Sequence, residues 1–179
     1  ANTTISGNTT LTSLLDGLHY IVVYANDTAG NMGASSTVYF TVDTTPPNII
    51  EVSQTPPENN VLPEDEVEVN ATVTDDLSAV KQVILNYTNG NGTWVIVEMT
   101  NLEGNVWNGT IPAFDYCTYV NYTIAAEDEI GNLITTEEVF GYQHQYHVIP
   151  EFPLSLILPL FIMATLLPVI IYRRKFYQF

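Results

Sequence analysis

Apolar residues recur at every second position through the middle of this chain. Val67, Val69, Ala71 and Val73 alternate with Glu66, Glu68, Asn70 and Thr72. That is the period of an antiparallel strand with one face in a core and the other in water. Between Pro46-Pro47 and Gly141, similar runs predict seven strands, at 48–54, 66–75, 80–88, 93–100, 105–111, 119–128 and 133–140. Asn89-Gly90-Asn91-Gly92 supplies the positive-φ chemistry of a tight hairpin between the third and fourth. Val83, Leu85, Tyr87, Trp94, Trp107, Tyr122 and Ile124 form the expected core. No helical period stands out before residue 150, so this part of the chain is expected to be all-β.

A second pattern lies over the first. The stretch HYIVVYANDTAGN, His19 to Asn31, aligns without a gap on VNYTIAAEDEIGN, Val120 to Asn132. Ala25 meets Ala126, Asp27 meets Asp128, and Gly30-Asn31 meets Gly131-Asn132. The offset of 101 residues is the size of one immunoglobulin-type β-sandwich. The shared segment reads as a strand, an Asp-x-x-Gly-Asn turn and a further strand. Residues 48–141 therefore predict one complete immunoglobulin-like sandwich. Residues 1–43 hold about three strands, half of what such a domain needs, and predict the C-terminal part of another whose remainder lies upstream. Residues 44–47 are the linker.

The pattern changes again near the end. Phe152 to Tyr172 carries no charge over twenty-one residues, long enough as a helix, at roughly 31 Å, to cross a bilayer. Pro159 and Pro168 interrupt it, which membrane helices tolerate better than soluble ones. Arg173, Arg174 and Lys175 follow at once, and they are three of the four basic residues in the chain. Basic flanks stay in the cytoplasm. The expectation is a single transmembrane helix at 152–172, a cytoplasmic tail at 173–179, and everything before the 142–151 juxtamembrane spacer outside the cell.

Charge fits that address. All twenty acids precede the apolar run and face one lysine there, a formal −19 for the outer part. Such a surface repels nucleic acid and attracts cations. Cys117 is the only cysteine, so no internal disulfide forms. Asn-x-Thr sequons occur at Asn2, Asn8, Asn26, Asn70, Asn86, Asn91, Asn108 and Asn121. Those in strands fall on the polar parity and Asn91 falls in a turn, as glycan acceptors require.

Candidate chemistry is sparse. Asp27 and Asp128 begin the Gly-Asn turns, Asp75 and Asp76 follow the second predicted strand, and Asp43 enters the linker. Calcium takes six to eight oxygens, which loop carboxylates at a domain junction could supply. Aspartates that cap their own turns are the competing reading. His144 and His147 lie in the aromatic spacer without a carboxylate or cysteine at ligand spacing, so zinc is not expected there. His19 is expected on a core-facing strand position. Cys117 has no histidine near it in sequence. No catalytic constellation or cofactor motif stands out, and the chain is expected not to be an enzyme.

Two resemblances add to this. Val42-Asp43-Thr44-Thr45-Pro46-Pro47, the Asp-x-x-Gly-Asn turns and "GNVWNGTIP" followed by "VNYTIAAED" make the second domain resemble the immunoglobulin-like or fibronectin type III-like modules of bacterial and archaeal surface proteins. Cys117-Thr118 departs from the Gly-Thr often found at that place. Pro150-Glu151-Phe152, the apolar span and the basic cluster resemble the PEF-type C-terminal sorting signal of archaeal surface proteins. That resemblance implies a processing enzyme of the archaeosortase class as partner, and a lipid anchor after cleavage. The resulting expectation is a non-enzymatic, glycosylated, membrane-anchored extracellular stalk or adhesion protein. The alternative is the anchoring end of a larger secreted peptidase or glycosidase.

Overall fold

The computed structural model describes residues 3–150. Residues 3–43 contain four short strands, β1 (Gly17–Ile21), β2 (Tyr24–Asn26), β3 (Met32–Ala34) and β4 (Val38–Val42). β1 pairs with β4 and β2 with β3, both antiparallel. These ribbons bury no hydrophobic core of their own, and Leu18 and Tyr20 are each 72% exposed. Four short strands stand here where about three are expected from the sequence.

The rest is a closed two-sheet sandwich. One sheet has the order β5 (Asn48–Thr55), β6 (Val67–Thr74), β10 (Val106–Ile111), β9 (Thr100–Glu103). The other runs β12 (Leu133–Thr135), β11 (Tyr119–Asp128), β7 (Val80–Thr88), β8 (Val95–Glu98), with β13 (His144–His147) also on β11. Every pairing within these sheets is antiparallel. In chain order these are the A-B-E-D and G-F-C-C′ arrangements of an immunoglobulin-type sandwich. The expected alternation is realised in β6, where Val67, Val69, Ala71 and Val73 are buried. They pack in one cluster with Val83 and Leu85 of β7 and Val120, Tyr122, Ile124 and Ala126 of β11. Each fully buried aliphatic side chain contributes about 1.5–3 kcal/mol.

The sheets approach closely at Gly109. A Cβ there would lie 3.1 Å from both Leu85 Cδ2 and Met99 Cγ. Met99 marks the crossing between sheets: its N–H bonds the Val83 carbonyl at 2.9 Å, and the chain leaves β8 for β9 around it. The strand expected at 93–100 is thus divided between two sheets. Trp94, expected in the core, precedes β8 and is 44% exposed. Trp107 is half-buried against the core. The Gly90 and Gly92 turn has φ of 82° and 84° and closes the β7–β8 hairpin as expected.

Two further expectations are corrected. The strand expected at 133–140 stops at Thr135, and Thr136–Phe140 form a short helix, α1. Thr135 and Glu138 make a capping box at its start, and Gly141 in the left-handed region ends it. Buried Thr136 accepts the Ile124 N–H at 3.1 Å, fixing the helix to β11. The second correction concerns the boundary at 141. His144–His147, expected in a spacer, pair with Tyr119–Tyr122 as β13. Val148 is buried and exchanges backbone bonds with Cys117 and Thr118, and Ile149 bonds Val61. The sandwich therefore continues to Ile149.

The apolar span 152–172, the tail with Arg173, Arg174 and Lys175, and Glu151, Phe152 and Asn2 lie outside the described residues. Among the described residues no helix is long and apolar enough to cross a membrane.

Candidate metal centre

The Asp-x-x-Gly-Asn turn occurs twice with one bonding scheme. In the first copy Asp27 Oδ1 accepts the N–H groups of Ala29 and Asn31, and Asn31 Nδ2 donates to Oδ2 at 2.7 Å. In the second, Asp128 Oδ1 accepts the N–H groups of Ile130, Gly131 and Asn132, and Asn132 Nδ2 donates to Oδ2 at 2.7 Å. The backbone closure also repeats, Asp27 N–H to Asn31 O and Asp128 N–H to Asn132 O. An aspartate that collects its own downstream amides is the turn-capping role expected from sequence.

The surroundings differ. Asp27 is exposed, and the Asn31 side chain and backbone hold its carboxyl below the usual range. Asp128 is fully buried. Burial works against its ionisation, but Asn132 and the turn amides outweigh it, so its carboxyl also lies below the usual range.

Around Asp128 the fold gathers two more acids. Asp43 leaves β4 at the start of the linker, Asp75 follows β6, and Asp128 ends β11. One carboxylate oxygen from each lies within 4.8 Å of the others. Asp75 Oδ1 accepts the N–H groups of Leu77 and Ser78 and the Ser78 hydroxyl, holding the β6–β7 loop. Asp43 Oδ1 accepts the Thr45 N–H at 3.0 Å. Asp43 Oδ2 is buried and receives no hydrogen bond among the described residues. The three therefore combine a turn role with a shared oxygen-rich point. Beside it, Asp16, Asp43, Asp75, Asp76 and Thr45 line a cleft of about 530 Å³.

Of the five aspartates singled out from sequence, the structure brings together Asp43, Asp75 and Asp128. Asp76 is exposed on the cleft wall, and Asp27 stands apart in the first turn. Asp16, which sequence reasoning missed, braces the linker. Its carboxylate accepts the Thr44 N–H at 3.1 Å and the hydroxyls of Thr44 and Thr45 at 2.9 and 3.0 Å. Only its place opposite the linker, across the β1–β4 ribbon, gives it that role.

The other candidates separate. His19 is half-buried, stacked on Phe40 at 5.6 Å and bonded to the Leu15 carbonyl. Cys117 is exposed and unpaired, with φ of 63°. His144 and His147 sit three apart in β13 and so point to opposite faces. His144 stacks on Tyr122 at 5.0 Å, and burial pulls its pKa below 6.5, with the Glu58 charge acting the other way. Among the described sequons, Asn8, Asn26 and Asn91 are exposed, while Asn70, Asn86, Asn108 and Asn121 are half-buried. Asn108 and Asn70 face each other across β10 and β6, with Asn108 Nδ2 donating to Asn70 Oδ1 at 2.9 Å.

A second cleft, about 540 Å³, lies at the opposite end of β11, lined by Gln54, Glu58, Tyr122, Tyr142 and His144 among others. Glu58 is its one acid. Tyr122 donates to Gln54 Oε1 at 3.0 Å, and His144 Nε2 is buried without a partner among the described residues.

No protein-family description matches the chain, and no curated protein matches it. Among solved structures it is similar to the Br derivative of BhCBM56, at 17% identity over 46% of this chain and 78% of that one, with a TM-score of 0.36. It is also similar to the fibronectin(III)-like modules of CbhA from Clostridium thermocellum, at 15% identity over 78% of this chain and 66% of that one, with a TM-score of 0.43. The immunoglobulin-type sandwich rests on the strand order above.

Proposed function

We propose that this chain is a non-enzymatic extracellular stalk of immunoglobulin-like modules, glycosylated and held at an archaeal cell membrane through its C-terminus. The observation that carries the reading is the linker. Residues 43–47 are bonded from both sides, by Asp16 to Thr44 and Thr45 and by Asn132 Nδ2 to the carbonyls of Asp43 and Thr45 at 3.3 and 3.4 Å. Pro46 and Pro47 fix two further φ angles, and Pro47 is buried. A tether meant to swivel has no need of such bonds. A spacer that carries load or sets distance does.

In this role the acid-rich exterior keeps the stalk soluble and separate from its neighbours. The apolar span and basic tail supply the anchor. The Pro150-Glu151-Phe152 motif supports processing by an archaeosortase-type enzyme, because a plain membrane helix gives no reason for Glu151 at its edge. Limited proteolysis of intact cells tests the placement. Peptides from 48–149 are expected in the supernatant before lysis. Recovery of those peptides only after lysis would contradict an extracellular stalk.

A further inference from the structure

Three carboxylates within 4.8 Å of one another need an opposite charge between them. The described residues supply none at that point. The one lysine among them, Lys81, is bonded to Glu127 at 2.6 Å in the one ion pair. Asp43 sharpens the question. It is 5% exposed, its Oδ1 is used by Thr45, and its Oδ2 is buried with no donor. A buried carboxylate oxygen without a partner is costly unless something electropositive meets it.

We propose that Asp43, Asp75 and Asp128 together bind one calcium ion, which fastens the linker to the sandwich. The donors are all oxygen, the preference of a hard cation, with no histidine or cysteine among them. The three oxygens lie within 4.8 Å of one another, close enough to turn toward one shared cation, and calcium accepts such oxygens at about 2.4 Å. Magnesium, at about 2.1 Å and strictly octahedral, fits three oxygens on separate loops less well. Each aspartate already uses Oδ1 to shape its own loop, and Asp128 Oδ2 also accepts from Asn132 Nδ2. The loops are therefore ordered before the ion arrives, and the ion joins them to each other.

The consequence is positional. Asp43 belongs to the segment leaving β4, whereas Asp75 and Asp128 belong to two strand ends of the sandwich. One ion across them turns three separate turns into a single joint. The acids Asp16 and Asp76 in the adjoining cleft raise the local cation concentration. This inference does not rest on the stalk reading, since a sandwich of any role could hold the ion.

The test uses the full chain in detergent, stripped of metal and titrated with calcium chloride or magnesium chloride by calorimetry. Parallel thermal melts are run in calcium and in chelator. The expected result is one calcium per chain, magnesium at least about tenfold weaker, and a melting temperature that rises with calcium. Asp75→Asn is expected to weaken calcium by at least about tenfold while melting in chelator no lower than wild type, because it relieves charge repulsion. Asp43→Asn, with the same backbone acceptor kept, serves as the second variant, and terbium luminescence as a second readout. Equal melts in calcium and chelator would overturn the proposal. So would unchanged calcium affinity in both variants, a stoichiometry above one, or equal binding of magnesium.

Discussion

Gly109 offers a quantitative test of the sheet-to-sheet packing. In Gly109→Ala the new methyl meets Leu85 Cδ2 and Met99 Cγ at 3.1 Å and Leu85 Cβ at 3.6 Å. Carbon atoms in ordinary contact stand about 3.5–4.0 Å apart, so two neighbours must each retreat by a few tenths of an ångström. Leu85 is fully buried with core behind it and has little room. Met99 is unbranched and yields more easily. Overpacking of this kind costs about 1–3 kcal/mol. Alanine recovers about 0.4–1 kcal/mol by restricting the unfolded chain. The net expectation is destabilisation by about 1–2 kcal/mol, with the melting temperature lower by several degrees. Urea unfolding followed by Trp107, two residues away on β10, reads the change with an unaltered slope. Adding Met99→Ala relieves part of the clash, so the double variant costs less than the two single changes combined. A Gly109→Ala protein as stable as wild type, or more stable, would refute the close approach.

Other tests address the rest of the molecule. His144 has its pKa lowered from 6.5 by burial, so the unfolded chain takes up a proton first as pH falls. Stability is expected to decline below about pH 6.5 until the folded histidine also protonates; the carboxyls of Asp27 and Asp128 are lowered from 3.8 and act only in more acid solution. The urea midpoint measured between pH 7 and 5 should lose most of this slope in His144→Phe, and an equal slope in both proteins would sink the idea. For glycans, occupancy mapped by mass spectrometry on native protein is expected to be higher at exposed Asn91 than at Asn108, whose Nδ2 is engaged by Asn70. Full occupancy of both Asn70 and Asn108 on one chain would contradict the packed cross-strand pair. At the C-terminus, Glu151→Gln with Phe152→Leu should leave insertion unchanged and block removal of the tail. Intact Tyr177-Gln178-Phe179 on mature wild-type protein would show that no processing occurs.

What could be read in the sequence follows from where the information lies. β6 and β7 were legible because their valines and leucines keep a period of two against one buried face. The repeated turn was legible because Asp, Gly and Asn each do local work within five residues. α1 was missed although Thr135-x-x-Glu138 spells a capping box, because the apolar residues around it also suit a strand. β13 was missed because its aromatic and histidine residues next to an apolar span read as a juxtamembrane spacer; its pairing with β11 is a long-range fact. Trp94 was misplaced because its bulk suggests a core and nothing local shows that the chain has yet to enter β8. The carboxylate cluster was half legible. Sequence identifies Asp43, Asp75 and Asp128 as turn residues, but only the topology carries the ends of β4, β6 and β11 to one point.

The central claim is that the linker is a fixed joint, and a distance measurement across it tests this most directly. Spin labels on Tyr39→Cys in β4 and Leu102→Cys in β9, both exposed positions, span the junction once Cys117 is changed to serine. The full chain is held in lipid nanodiscs, and a second pair at Leu102 and Ile130 reports the width within the sandwich alone. A single cross-junction distance, no broader than that control, is the result a braced stalk requires. A broad distribution reaching many separations would show a flexible tether and contradict the account.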